Sequence, residues 1–161
     1  MVKMPKKTVA VLVILFFLPV LFLLFLYPST HNYDPLNIVN EEVPELQFFS
    51  SKTDEELMLQ DHITVLGFLG AEPLKQNIAA SNLKELVYDK FKGFKKFQMV
   101  LVLPKGAEAR AEELQKEINN YEDMRFWHYV FGEPSDIRSL HNSLKSEESL
   151  KDDLSTDHIF I

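Results

Sequence analysis

The chain has 161 residues, 46% of them apolar and 25% charged, with a net charge of −7, which suits one globular domain plus a short additional segment. Lys3, Lys6 and Lys7 precede an apolar run without charge, so the remainder from Pro28 carries −10; so acidic a domain is a poor partner for nucleic acid, whose binding depends on neutralising phosphates. There is no cysteine, which excludes disulfides, thiol–disulfide exchange, a cysteine nucleophile, thiolate-held zinc and a lipidated N-terminal cysteine.

Residues 1–7 form a lysine-rich N-terminus and residues 8–27 (TVAVLVILFFLPVLFLLFLY) predict a transmembrane helix. Twenty residues at about 1.5 Å each span about 30 Å, the thickness of a bilayer's hydrocarbon core. Pro19 is tolerated in membrane helices. The flanking lysines place the N-terminus in the cytoplasm and the domain outside, in the periplasm if the cell is Gram-negative. A cleaved signal peptide would have a shorter apolar core and a small-residue cleavage site, and the run ends instead in Leu26, Tyr27 and Pro28, so an uncleaved anchor is expected.

Residues 28–44 are polar with three prolines and read as an extended tether. Short strands are expected at 45–49 and 57–59, with a turn at 51–56 between them. Residues 62–69 (HITVLGFL) predict a strand rich in β-branched and apolar side chains. Pro73 suits the first turn of a helix, which the recurrence of Leu74, Ile78, Leu83, Leu86, Val87, Phe91 and Phe94 extends with those side chains inward. The run 97–103 (FQMVLVL) predicts a strand covered on both faces. A second helix presents Ala107, Ala111, Leu114 and Ile118 on one side, with an i,i+4 pair of Glu112 and Lys116 outside. Residues 125–131 (RFWHYVF) predict another two-faced strand. Pro134 opens a third helix with Ile137, Leu140 and Leu144 inward, 145–156 reads as a loop, and 157–161 as a final strand. The order β-α-β-α-β-α-β predicts an α/β domain over 45–161 with a largely parallel central sheet.

Three stretches carry a family likeness. GFLGAEPLKQN (67–77) sits at a strand-to-helix turn, FGEPSDIRSL (131–140) opens a helix, and DHIFI (157–161) is a strand with an Asp-His start. In this order the chain resembles the Sco copper-chaperone branch of the thioredoxin-like superfamily, which implies a thioredoxin-like central sheet flanked by helices. The resemblance places Glu72 and Gln76 around Pro73 where the family has two copper-binding cysteines, and His158 where it has a copper-binding histidine. Copper(I) wants soft thiolates, which a carboxylate and an amide do not replace. The resemblance also implies a further hairpin and helix after Ile161, so the chain is expected to be part of a longer protein, with apolar sheet surface left uncovered.

Other candidate sites favour structural explanations. Asp157 and His158 are neighbours in a strand and point to opposite faces, which argues against a dyad. Glu72 with His158 forms the one carboxylate–imidazole pairing the resemblance suggests, short of the three or four ligands a metal normally takes. His128 lies in a strand expected to be buried and reads as a hydrogen-bonded core histidine; His31, His62 and His141 show no partner spacing. Lys90, Lys92, Lys95 and Lys96 interleave with Phe91, Phe94 and Phe97, and read as cations at a helix end over core phenylalanines, with contact to anionic lipid as the alternative. Glu112, Glu113 and Glu117 form a solvated helix face. The glycines match neither phosphate-loop pattern.

The expected function is therefore a membrane-anchored, non-catalytic thioredoxin-like module without a cofactor, which binds a protein partner at a groove around Glu72, Pro73 and Gln76 and touches the bilayer through residues 8–27. The alternatives are weak metal (copper) handling through His158 and a fragment of a Sco-like protein without function of its own.

Overall fold

The computed structural model describes residues 5–26, 38, 40–52, 57–119 and 124–161. Residues 28–37 and 39 of the expected tether and 53–56 of the expected turn lie outside the described residues. The chain divides into two compact units, Met1–Asn37 and Ile38–Ile161.

The first unit holds α1, Lys6–Leu26, with Pro19 inside it and no amphipathic side. It begins two residues earlier than expected, and Tyr27 at the expected end lies outside the described residues. It is long and apolar enough to cross a membrane.

The second unit is a mixed α/β fold built on a five-stranded sheet. In spatial order its strands are β1 (Ser50–Ser51), β4 (Trp127–Gly132), β3 (Phe97–Pro104), β2 (Ile63–Leu69) and β5 (Ser155–Phe160). The central three run parallel, and each outer strand is antiparallel to its neighbour. All eight residues of β3 are buried, as a near-continuous apolar run should be in a strand covered on both faces. Met99, Leu101 and Leu103 pack in one layer with Trp127, Tyr129, Phe131 and with Ala111 and Leu114 of α4 (Glu108–Ile118). Val100 and Val102 turn to the other layer, with Val130 and with Ile137 and Leu140 of α5 (Pro134–Ser143). The period-2 alternation of strand side chains thus divides the core into two halves.

The helix expected after Pro73 departs from a single regular element. A 3₁₀ turn (Pro73–Gln76) leads into α2 (Asn77–Leu83), then a π turn (Lys84–Tyr88), then a last turn α3 (Asp89–Phe91). Tighter and wider turns shift the inward phase of the helix. Pro73, Ala80 and Tyr88 are the buried positions. Ile78, Leu86, Phe91 and Phe94, expected inside, are 74%, 59%, 45% and 60% exposed.

Two further expectations are corrected. Residues 45–49 and 57–59 are not strands. Glu45 instead accepts hydrogen bonds from the backbone N–H groups of Leu59 (2.7 Å) and Gln60 (2.8 Å), so a carboxylate does the pairing and the short strand moves to Ser50–Ser51. Glu112 pairs across space with Lys52 at 2.6 Å, in addition to the charge attraction of Lys116 one turn away. β5 starts at Ser155, inside the stretch read as loop, because Ser155 is fully buried and bonded to Asp153 through both its N–H and its hydroxyl.

Candidate functional site

The turn that follows β2 is built first by Gly70. Its φ of +71° is open to glycine, and an added Cβ would lie 2.6 Å from the Asp153 carbonyl oxygen. The Ala71 N–H donates to that same carbonyl at 2.8 Å, which ties the turn to the segment before β5. Arg110 of α4 donates to the Ala71 carbonyl and to the Glu72 carboxylate, the latter at 3.1 Å. Pro73 is buried, so of the three residues expected to form a groove it supplies packing and not surface. Gln76 is half-buried and lines a cleft.

On β5, Asp157 pairs with Lys151 at 2.8 Å, and His158 lies with Nε2 3.4 Å from Glu148. Their side chains serve different partners, as alternation along a strand requires. Glu72 and His158 are likewise given separate partners, Arg110 and Glu148. His141 of α5 is buried against the edges of the Phe68 and Phe160 rings, at 5.3 and 6.0 Å, and its Nε2 has no hydrogen-bond partner among the described residues. Burial first, and the neighbouring His158 second, push its pKa below the ordinary histidine value. His141 is the histidine near His158; the two stand 17 positions apart on a helix and a strand, where no spacing rule could join them.

A cleft of about 350 Å³ runs between α2, the π turn and β5. Gln76, Leu83, Leu86, Val87, His158 and Ile159 are among its walls. Leu86 and Ile159 stand largely in solvent, at 59% and 43%. The residues expected around a metal do not suit copper(I): Gln76 offers an amide, His158 lies beside Glu148, and Glu72, which does not line this cleft, is engaged by Arg110. Among the described residues no three metal-ligating side chains gather.

A larger cleft, about 660 Å³, lies between α4, β1 and β4, with Lys52, Glu112, Gln115, Trp127 and Tyr129 on its walls. The Trp127 indole N–H and the Tyr129 hydroxyl are buried without a hydrogen-bond partner among the described residues. Burial pushes the Tyr129 phenol up to about 12, opposed by the neighbouring Trp127 indole, which stands close without a well-formed hydrogen bond, so the phenol stays protonated at neutral pH. Both residues lie in the strand that the sequence predicts as two-faced, and no residue pattern marks the face that borders the cleft. His128, expected in the core, is half-buried on a wall of this same cleft.

Compared with family models, with curated proteins and with solved structures, the chain finds no match.

Proposed function

We propose that residues 45–161 form a membrane-tethered, thioredoxin-like binding or assembly module that performs no chemistry of its own. The sheet order β1-β4-β3-β2-β5, with β5 antiparallel beside the strand that leads into the Pro73 turn, supports the thioredoxin-like reading. So do the positions of the three resembling stretches, at the end of β2, at the start of α5 and on β5. Thiol chemistry has no thiol to use, and the donor set around Glu72, Gln76 and His158 is wrong for copper(I).

The observation that carries the binding function is the cleft beside β5, where Leu86 and Ile159 present apolar side chains to solvent next to Gln76 and His158. Grooves of this kind, apolar with a few polar groups, hold partners. The partner groove therefore moves from Glu72, Pro73 and Gln76 to Gln76, Leu86 and Ile159. A photo-crosslinking residue placed at Leu86 in cells that produce the protein should give one recurrent adduct, reduced by Ile159→Asp. A scatter of unrelated adducts, unchanged by that substitution, sinks the reading.

The metal alternative rests on His158 beside Glu148 and close to His141. Copper binding tighter than micromolar and lost in His158→Ala would favour it over the binding module.

A further inference from the structure

The turn that closes the helical segment after Pro73 carries the domain's densest group of positive charge. Between Asp89 and Phe97 stand Lys90, Lys92, Lys95 and Lys96 against one acid, Asp89, a net charge of +3 inside a remainder of −10. Asp89 is already held by Lys84 and Lys92, each at 2.9 Å. Lys90, Lys95 and Lys96 are exposed, and none of them forms an ion pair among the described residues.

Between these lysines stand two phenylalanines that a core would have covered. Phe91 and Phe94 are 45% and 60% exposed, with ring centroids 6.1 Å apart. Phe91 also packs on buried Phe97 at 5.8 Å, so the pair is braced from below. Ile63, whose N–H bonds to the Lys96 carbonyl at 2.8 Å, adds a third exposed apolar side chain at 59%. Scattered single hydrophobes are ordinary on surfaces. Adjacent aromatics ringed by unpaired lysines match a different chemistry, that of the bilayer interface. There, aromatic rings sit at headgroup level and basic side chains are drawn to anionic lipid.

We propose that this basic–aromatic turn is a lipid-docking surface, which rests the domain on the anionic bilayer that its own chain enters. Two facts favour lipid as the occupant. The patch is positive on an otherwise strongly acidic domain and so complementary in charge to anionic headgroups. The same chain carries α1, long and apolar enough to cross a membrane, so bilayer is present at high effective concentration and a weak surface contact becomes a populated one. The proposal is independent of the cleft beside β5.

The absence of cysteine makes the test direct, because one introduced cysteine is a unique label. A Cβ at Gly93, in the middle of the turn, meets nothing within 4 Å. The full chain carrying Gly93→Cys and an environment-sensitive dye would be reconstituted into nanodiscs of phosphatidylcholine alone or with phosphatidylglycerol. Docking predicts blue-shifted emission in the anionic discs only, reversed by molar salt, which shortens the range of the attraction. Adding Lys95→Gln and Lys96→Gln should lower the docked-to-undocked ratio about 25-fold, at roughly five-fold per lysine. Phe91→Ser with Phe94→Ser should abolish the shift while unfolding remains cooperative. Emission that is equal in the two bilayers overturns the proposal. So does a shift that follows protein concentration instead of lipid charge, which would mark a self-association surface.

Discussion

β3 and β5 lie on the two sides of β2, and they are opposite kinds of strand. β3 is parallel to β2 and buried over its whole length. β5 is antiparallel and bulged where Gly67 and Leu69 meet it, and Asp157, His158 and Ile159 are exposed. One supplies the centre of both core layers; the other supplies an edge on which polar pairs and an apolar cleft wall are displayed. The difference separates what the domain spends on standing up from what it has available for contact, and it can be sharpened by substitution.

The largest effect belongs to β3. Leu101 is fully buried between Gly67 and Tyr129, and Leu101→Ala is expected to cost about 3 kcal/mol by losing contacts and leaving a cavity. Chemical denaturation of the full chain in detergent would measure it. Next comes the junction of β2 with the segment leading to β5. Gly70→Ala forces a left-handed backbone on alanine and drives its Cβ toward the Asp153 carbonyl, an expected loss of about 2 kcal/mol. A cost as small as that of a surface change would mean that this junction is loose.

The third effect is a slope with pH. The folded-state pKa of His141 lies below its unfolded value, so the unfolded chain binds the extra proton. Stability from this residue should be complete above the ordinary histidine value of 6.5 and fall as pH drops below it. His158 and Glu148 stand nearby, so the informative quantity is the difference between the chain and His141→Phe. The variant keeps an aromatic ring against Phe68 and should flatten the fall in melting temperature between pH 7 and 5. Identical profiles would place the acid sensitivity elsewhere.

The smallest stability effect should come from β5 itself. Ile159→Ser removes a half-exposed side chain and should change stability by about 0.5 kcal/mol, while weakening crosslinking from Leu86. A large loss of stability with no change in crosslinking would make Ile159 core and break the contrast between the strands.

The same contrast explains what the sequence could reveal. β2, β3, β4 and α5 were legible, because continuous apolar runs and a Pro-initiated periodic helix record burial directly. β1 was not, since two serines, pairing with Val130 and Phe131 through backbone and the Ser50 hydroxyl, carry no apolar pattern. The helix after Pro73 was misphased because a 3₁₀ and a π turn leave no residue signature, so Tyr88 replaced Leu86 and Phe91 inside. The functional surfaces were less legible still. Arg110 reaches Glu72 across 38 positions, and Glu45 reaches Leu59 and Gln60 across 14 and 15. Such pairings depend on where the sheet brings segments together, which local pattern does not encode.

The place of β5 also makes its pairing with β2 a long-range closure. Its first residue, Ser155, pairs with Leu69, and Asp153 holds Ala71. Joining these two points closes about 86 residues of chain, an entropic cost of about 4 kcal/mol, and β3 and β4 are both synthesised before the chain reaches β5. Until then β2 carries an unpaired edge bordered by Phe68 and Leu69. During synthesis β2 is made long before β5, so for that interval the nascent chain presents an open apolar strand. That interval is when neighbouring copies, not partners, compete most strongly for it.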